Sequence, residues 1–192
     1  MSAFPRQLQA GLRVLLILTI LTGIVYPLVI LGVGQVVAHG QADGSLVAHA
    51  GIVVGSSSLG QQVTGPQWFH DRVSAVEYVG NKSGGSNLGP NEPGLAKALQ
   101  DNGDTVRRDN PDAPAVLPPD ALTTSASGLD PDISPEYAAL QVDRVAAARG
   151  LTVSQVQAVV ATHTKGRILG FLGEPRVNVT ELNVALADMQ SS

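Results

Sequence analysis

Asn81 to Pro90 reads NKSGGSNLGP. Glycine and serine this dense beside a lysine suggest phosphate binding, in which backbone N–H groups and an ammonium surround an anion. The nucleotide-cradling form of such a loop requires G-x-x-x-x-G-K-[ST], with glycine directly before the lysine. Here Asn81 precedes Lys82, and no glycine stands at the first position. Ser83, Gly84, Gly85, Ser86 and Asn87 therefore read as a turn-rich loop shaped for a partner surface or for its own domain. A second group, Asp130, Asp132 and Glu136, is spaced closely enough to hold a cation. The same carboxylates also suit the first turn of a helix, where the dipole favours negative charge. Other chemistry is sparse. His39, His49, His70 and His163 show no H-E-x-x-H spacing, there is no cysteine, and no G-x-S-x-G elbow occurs. Lysine and arginine form no patch dense enough for nucleic acid. On these grounds no catalytic residue and no metal-ligand set is expected.

The elements that must carry these loops begin with an apolar run. Val14 to Ala38 holds 25 residues without Asp, Glu, Lys or Arg, and 16 of them are Leu, Ile or Val. As a helix it is about 37 Å long, enough for a hydrocarbon core of roughly 30 Å. Those 16 side chains favour insertion by about 5–9 kcal/mol before penalties. A signal h-region is usually about 7–15 residues, so the run reads as an uncleaved anchor. Arg6 and Arg13 precede it, and the next basic residue is Arg72. The positive-inside rule then gives a cytoplasmic tail over 1–13, a transmembrane helix over 14–38 and an extracytoplasmic domain over 39–192. The formal net charge is -4; residues 39–192 carry 10 basic and 16 acidic side chains. Pro27 crowds the carbonyl of Gly23, so a kink is expected. Thr19, Gly23, Pro27 and Gly34 fall near one face at helical spacing, which would let a partner helix approach closely.

Residues 39–192 suffice for a core. Gly51 to Gly55 reads as a short strand and Asn91 to Asn110 as a helix capped by Asn91, with Pro93 in its first turn. Pro111 to Pro119 is expected to be loop. Ser134-Pro135-Glu136 opens a helix that Gly150 closes. Thr152 and Gln155 form a capping box for a helix ending near Gly166. Asn178 and Glu181 open another that runs toward Met189, with Leu182, Leu186 and Met189 on one face. A strand- and loop-rich first half and a helical second half predict an α+β fold.

Several stretches together carry a family resemblance: TGIVYP in the apolar run, QADGSL after it, WFHDRVSA, SGGSNLGP, SASGLDPDISP and GEPRVNVTELNVALA. In this order, over nearly the whole chain, the sequence resembles the KdpC family, one of the component chains of the Kdp potassium-transporting ATPase. Asp132 and Lys165 depart from residues common in the family. The resemblance implies an accessory, non-catalytic, single-span subunit of a high-affinity potassium pump in the cell membrane. Its implied partners are the channel-like chain KdpA and the P-type ATPase chain KdpB. It implies a catalytic chaperone that raises the ATP affinity of KdpB, with ATP entering through that partner and no cofactor bound directly. It marks Ser83, Gly84, Gly85, Ser86, Asn87, Ser127, Gly128 and Asp130 as family loop positions; the SGGS stretch has been likened to the LSGGQ signature of ABC transporters. The charge asymmetry places this loop across the membrane from ATP, so any effect on ATP affinity is expected to be indirect. The alternative is a membrane-anchored binding or enzymatic domain acting alone.

Overall fold

A computed structural model describes residues 3–190 of the chain. The described residues divide into two compact units that part after Ser45.

The first unit is one long apolar helix with an irregular turn inside it. Helix α1 (Ala3–Ile20) passes through a π-helical turn at Leu21–Val25 into α2 (Tyr26–Val37). The Tyr26 amide donates to the Leu21 carbonyl, five residues back, just ahead of Pro27. Pro27 has no N–H and its ring needs space beside the preceding turn; the wider π turn is where a helix absorbs such a residue. Thr22 Oγ1 donates to the Leu18 carbonyl at 2.7 Å within the same stretch. The helical run from Ala3 to Val37 has a mean hydropathy of 2.7 in its most apolar window and buries none of that window in the protein. Beyond Ala38 a single helical turn, α3 (His39–Ala42), folds back so that Gln35 Nε2 donates to Asp43 Oδ1 at 2.7 Å.

The second unit is α+β, as expected. A hairpin comes first, β1 (Leu46–His49) against β2 (Ile52–Ser56), joined at Ala50 and Gly51 with φ of 49° and 80°. Two consecutive left-handed residues match the twist of a tight hairpin. After a long irregular stretch come α4 (Pro93–Asp109), α5 (Pro119–Leu122), β3 (Asp132–Ile133), α6 (Pro135–Arg149), α7 (Val153–His163), β4 (Thr164–Lys165), β5 (Arg176–Asn178) and α8 (Val179–Gln190). The last three strands form an antiparallel sheet in the order β3-β5-β4. The core gathers Val142 and Val145 of α6, Val156 of α7, Val177 of β5, and Leu182 and Leu186 of α8.

Local chemistry sets most helix ends. Ser134 Oγ accepts from the Tyr137 amide, and Gly150 closes α6 with φ 67°. The Thr152–Gln155 capping box forms in both directions. Asn178 Oδ1 accepts from the Glu181 amide at 3.0 Å. Four expectations need correction. The N-cap of α4 is Glu92, not Asn91, because Pro93 takes the first helical position. The proline run is loop through Pro118, as expected, and only its last residue, Pro119, is helical, with proline opening the turn. Helix α7 stops at His163, short of Gly166, because Thr164 and Lys165 pair with β5. Leu182 and Leu186 are buried, but Met189 is 38% exposed where α8 runs past the core.

The stretch from Ser57 to Glu92 contains no helix or strand, so its backbone groups need partners elsewhere. Side chains of α6 and α8 supply them. Asn183 accepts from the Phe69 amide and donates to the Phe69 carbonyl, both at 2.9 Å. Gln141 does the same for His70 at 2.8 and 3.1 Å. Arg144 donates to the carbonyls of Pro66 and Trp68 at 2.8 and 2.9 Å. Arg149 donates to Gln67 and lies 4.2 Å from the centre of a Trp68 ring. Phe69, 0% exposed, is thereby seated in the core. Replacing Asn183 by Leu leaves the Phe69 amide and carbonyl buried without partners. Asn183→Leu is expected to destabilise the protein by about 2–4 kcal/mol, read by urea unfolding of the detergent-solubilised chain.

Candidate functional site

Three separated segments of the sequence meet in one place. The WFHDRVSA segment lies beside SASGLDPDISP: the Ser125 amide donates to the Val73 carbonyl at 2.8 Å, and Val73 and Thr124 form a parallel bridge. Ser74 Oγ donates to the Gly128 carbonyl at 2.7 Å and accepts from the amides of Val76 and Tyr78. The SGGSNLGP loop closes on the same segment. The Gly84 amide and Ser83 Oγ both donate to the Ser127 carbonyl, at 2.8 and 3.1 Å. The Tyr78 hydroxyl donates to the Arg72 carbonyl, which ties the intervening turn down.

The glycines are explained by this packing. A Cβ on Gly128, whose φ is 69°, would stand 2.5 Å from Val76 Cγ2 and 2.7 Å from the Gly84 carbonyl. A Cβ on Gly85 would stand 3.1 Å from the Ala126 carbonyl. Gly84 and Gly85 are half-buried against the neighbouring loop, while Ser83, Ser86 and Asn87 are exposed. Asn87 holds a left-handed φ of 53°, a conformation asparagine tolerates better than most residues. Ser74, Val73 and Ser125 were not singled out in the sequence. Their signal was only that they stand inside recognisable segments.

An acidic cleft of about 900 Å³ opens beside this junction, lined by Arg72, Asp120, Asp130, Asp132, Glu136 and Arg176 among others. Asp130, Asp132 and Glu136 all line it, but among the described residues no group of carboxylates and histidines is placed to hold a metal ion. Asp120, Asp130 and Asp132 are engaged by the protein. Arg72 Nη1 donates to Asp130 Oδ2 and Nη2 to Thr123 Oγ1, both at 3.2 Å. Asp130 Oδ1 accepts from the Asp132 amide at 3.1 Å. Asp132 pairs with Arg176 at 3.0 Å and accepts from Asn178 Nδ2 at 3.1 Å. Burial raises the Asp132 carboxyl, while the Asn178 hydrogen bond and Arg176 oppose the rise. Asp120 accepts from both the amide and the hydroxyl of Ser134.

Asp71, next to Arg72 in the chain, was missed. Both of its carboxylate oxygens are buried without a hydrogen-bond partner among the described residues. Burial pushes this carboxyl up to about 8; the backbone N–H of Gln61, near it but short of hydrogen-bond geometry, favours the ionised form, and Asp130 and Asp132 oppose it. In the first unit, Gly34 lies against the chain's own Ala42, 3.5 Å from where its Cβ would be, while Gly23 has open space around it. The π turn lies between Thr19 and Pro27, so the spacing of those positions is not that of a straight α-helix.

Among the described residues one helix is long and apolar enough to cross a membrane, and an α+β unit follows it, an arrangement that suits a membrane-anchored protein. A family model described as KdpC, the c chain of the K+-transporting ATPase, matches residues 8–188. The potassium-transporting ATPase KdpC subunit of Herpetosiphon aurantiacus is 49% identical over 186 residues, covering 95% of this chain and 96% of that protein. The subunit of the same name from Kineococcus radiotolerans is 52% identical over 183 residues, covering 94% and 93%. That of Sorangium cellulosum is 50% identical over 182 residues, covering 93% and 96%. The chain belongs to the KdpC family of potassium-transporting ATPase subunits.

Gly128→Ala is expected to loosen the junction, with a lower Tm and faster proteolysis between residues 76 and 90. Gly89→Ala, with open space and no left-handed φ, is expected to change neither. In the folded state Asp71 retains its proton from its ordinary 3.8 up to about 8, whereas the unfolded chain releases it. Its contribution to stability is therefore largest below about pH 4, falls as pH rises, and is lost above about pH 8. Asp71→Asn is expected to flatten that part of the Tm-against-pH profile.

Proposed function

We propose that this chain is the non-catalytic accessory subunit of a high-affinity, ATP-driven potassium uptake complex. Its partners are the channel-like chain KdpA and the P-type ATPase chain KdpB. The observation that carries this reading is the family match, which runs through both units from residue 8 to residue 188. Residues 1–13 lie in the cytoplasm, 14–38 cross the membrane and 39–192 lie outside, from the position of Arg6 and Arg13 ahead of the span. The chain lacks the DKTG phosphorylation motif of P-type pumps as well as a Walker A loop. It acts on ATP affinity indirectly, as a catalytic chaperone that favours one conformation of the assembled pump. The packing of Ser83, Gly84 and Gly85 on residues 125–128 supports a structural rather than phosphate-binding role for that loop. An accessory chain with differential affinity for two states shifts an apparent ATP affinity tenfold for about 1.4 kcal/mol. Gly23 and the π turn give a partner helix a place to approach closely.

Complex assembled without this chain is expected to lose potassium-stimulated ATP hydrolysis, and adding the chain back restores it. Saturable ATP binding to the isolated chain, abolished by changing Ser83 and Ser86, would overturn the indirect mechanism. A cysteine at Ser86 is expected to react with an impermeant reagent in spheroplasts; labelling only after lysis reverses the topology. Gly23→Leu is expected to reduce co-purification of KdpA and KdpB more than Ile20→Leu, and equal recovery would place that face against lipid.

A further inference from the structure

Asp71 stands between two differently held parts of one irregular segment. Upstream, Phe69 and His70 are clamped by the carboxamides of Asn183 and Gln141. Downstream, Arg72 reaches Asp130 and Thr123, the Val73 carbonyl accepts from the Ser125 amide, and Ser74 Oγ donates to the Gly128 carbonyl. The SGGSNLGP loop rests on the same neighbour through two bonds to the Ser127 carbonyl. Neither carboxylate oxygen of Asp71 has a partner among the described residues, and both are shut off from solvent. A neutral acid is tolerated in such a place, whereas an ionised one is strongly disfavoured.

The groups around Asp71 offer its charge little help. Asp130 and Asp132, which come from the stretch that leads into and begins β3, oppose it. The phenols of Tyr78 and of Tyr137 on α6 interact with it as well; burial raises both, Tyr137 to about 12, so both stay neutral at moderately alkaline pH. His70 and, from α4, Asp109 line one cavity with Asp71. Burial holds the His70 ring below its ordinary 6.5, so it brings no positive charge there above neutrality. The adjacent cation is Arg72, whose Nε is buried without a partner and whose Nη1 is committed to Asp130. Loss of the Asp71 proton therefore sets an unpaired carboxylate in competition with Asp130 for Arg72. Movement of Arg72 carries with it the bonds made by Val73 and Ser74, one and two residues on. The upstream clamps are carboxamides, which do not titrate, so the change is confined to the downstream side.

We infer that Asp71 is a proton-operated latch on the junction: with its proton it lets residues 72–76 close on residues 124–128, and without it the junction opens and frees residues 76–90. Lys82 is exposed within the freed stretch and Lys97 is exposed on α4, so trypsin reads both. The full-length chain in detergent is digested briefly between about pH 6.5 and about pH 9.5, where the latch changes state, and each rate is divided by that of a small amide substrate at the same pH. Cleavage after Lys82 is expected to rise reversibly by at least about fivefold, with its midpoint near 8, while cleavage after Lys97 stays level. Asp71→Asn, which cannot ionise, is expected to keep Lys82 protected throughout. A level wild-type profile overturns the proposal, as does an Asp71→Asn profile that rises with the wild type. A parallel rise at Lys97 overturns it too, because the whole unit is then unfolding. If Asp71→Asn does not fold, infrared spectra of the wild-type chain decide. A protonated carboxyl band is expected to persist at about pH 6.5 and to vanish with the same midpoint as the cleavage, and its absence overturns the latch.

Discussion

The backbone of Phe69 and His70 has no strand beside it, and the rest of the second unit depends on how its amides and carbonyls are satisfied. Asn183 and Gln141 each present a carboxamide, whose acceptor and donor match one residue's N–H and C=O. Two side chains thereby do what a neighbouring strand would do. Because Asn183 is on α8 and Gln141 on α6, the same bonds tie the irregular segment to the two helices that form much of the core. Arg144 and Arg149 extend the arrangement toward Gly65. Long structureless stretches are uncommon in compact domains unless something holds them. Here the holding groups are polar side chains, Gln141, Arg149 and Asn183 buried and Arg144 half-buried, each bonded to backbone of the segment.

Once that segment is fixed, the residues after it have little freedom. Val73 and Ser74 are placed against Thr124, Ser125 and Gly128, and the glycine-rich loop settles on Ser127. Arg72 is then held between Asp130 and Thr123 at the edge of the acidic cleft. The positive charges of Arg72 and Arg176 are distributed through the cleft, so its carboxylates do not face one another alone. Asp71 differs, being buried with neither oxygen bonded. A carboxyl in that setting favours its neutral form.

The apolar helix solves a different problem. In lipid each backbone group must find a partner within the protein, yet Pro27 removes one donor and crowds the turn before it. The π turn accommodates the ring by letting the Tyr26 amide reach Leu21 instead. Gly23 lies inside this turn, where the absence of a side chain leaves the helix surface low. The apolar run of this chain is therefore an irregular helix rather than a uniform rod.

Much of this was legible in the sequence because the determining interactions are local. The span follows from a run of apolar residues, and the starts of α6, α7 and α8 follow from Ser134, Thr152 and Asn178 bonding an amide three residues on. Gly150 at the end of α6 is similarly a matter of its own φ. Asn91 was mistaken for a cap by one residue, because the decisive constraint was the ring of Pro93. Strands of two or three residues such as β3, β4 and β5 carry too few positions for a period to show. The partners Phe69 and Asn183 stand 114 residues apart, and His70 and Gln141 stand 71 apart. No local pattern marks such a pair. The sequence by itself determined the long apolar helix, the α+β class, the family and most helix ends, since each rests on neighbours along the chain. The tertiary structure alone decided that SGGSNLGP packs on Ser127, that Asp71 is buried unpaired and that Phe171 faces outward, because burial and hydrogen bonding across the fold exist only after distant segments meet.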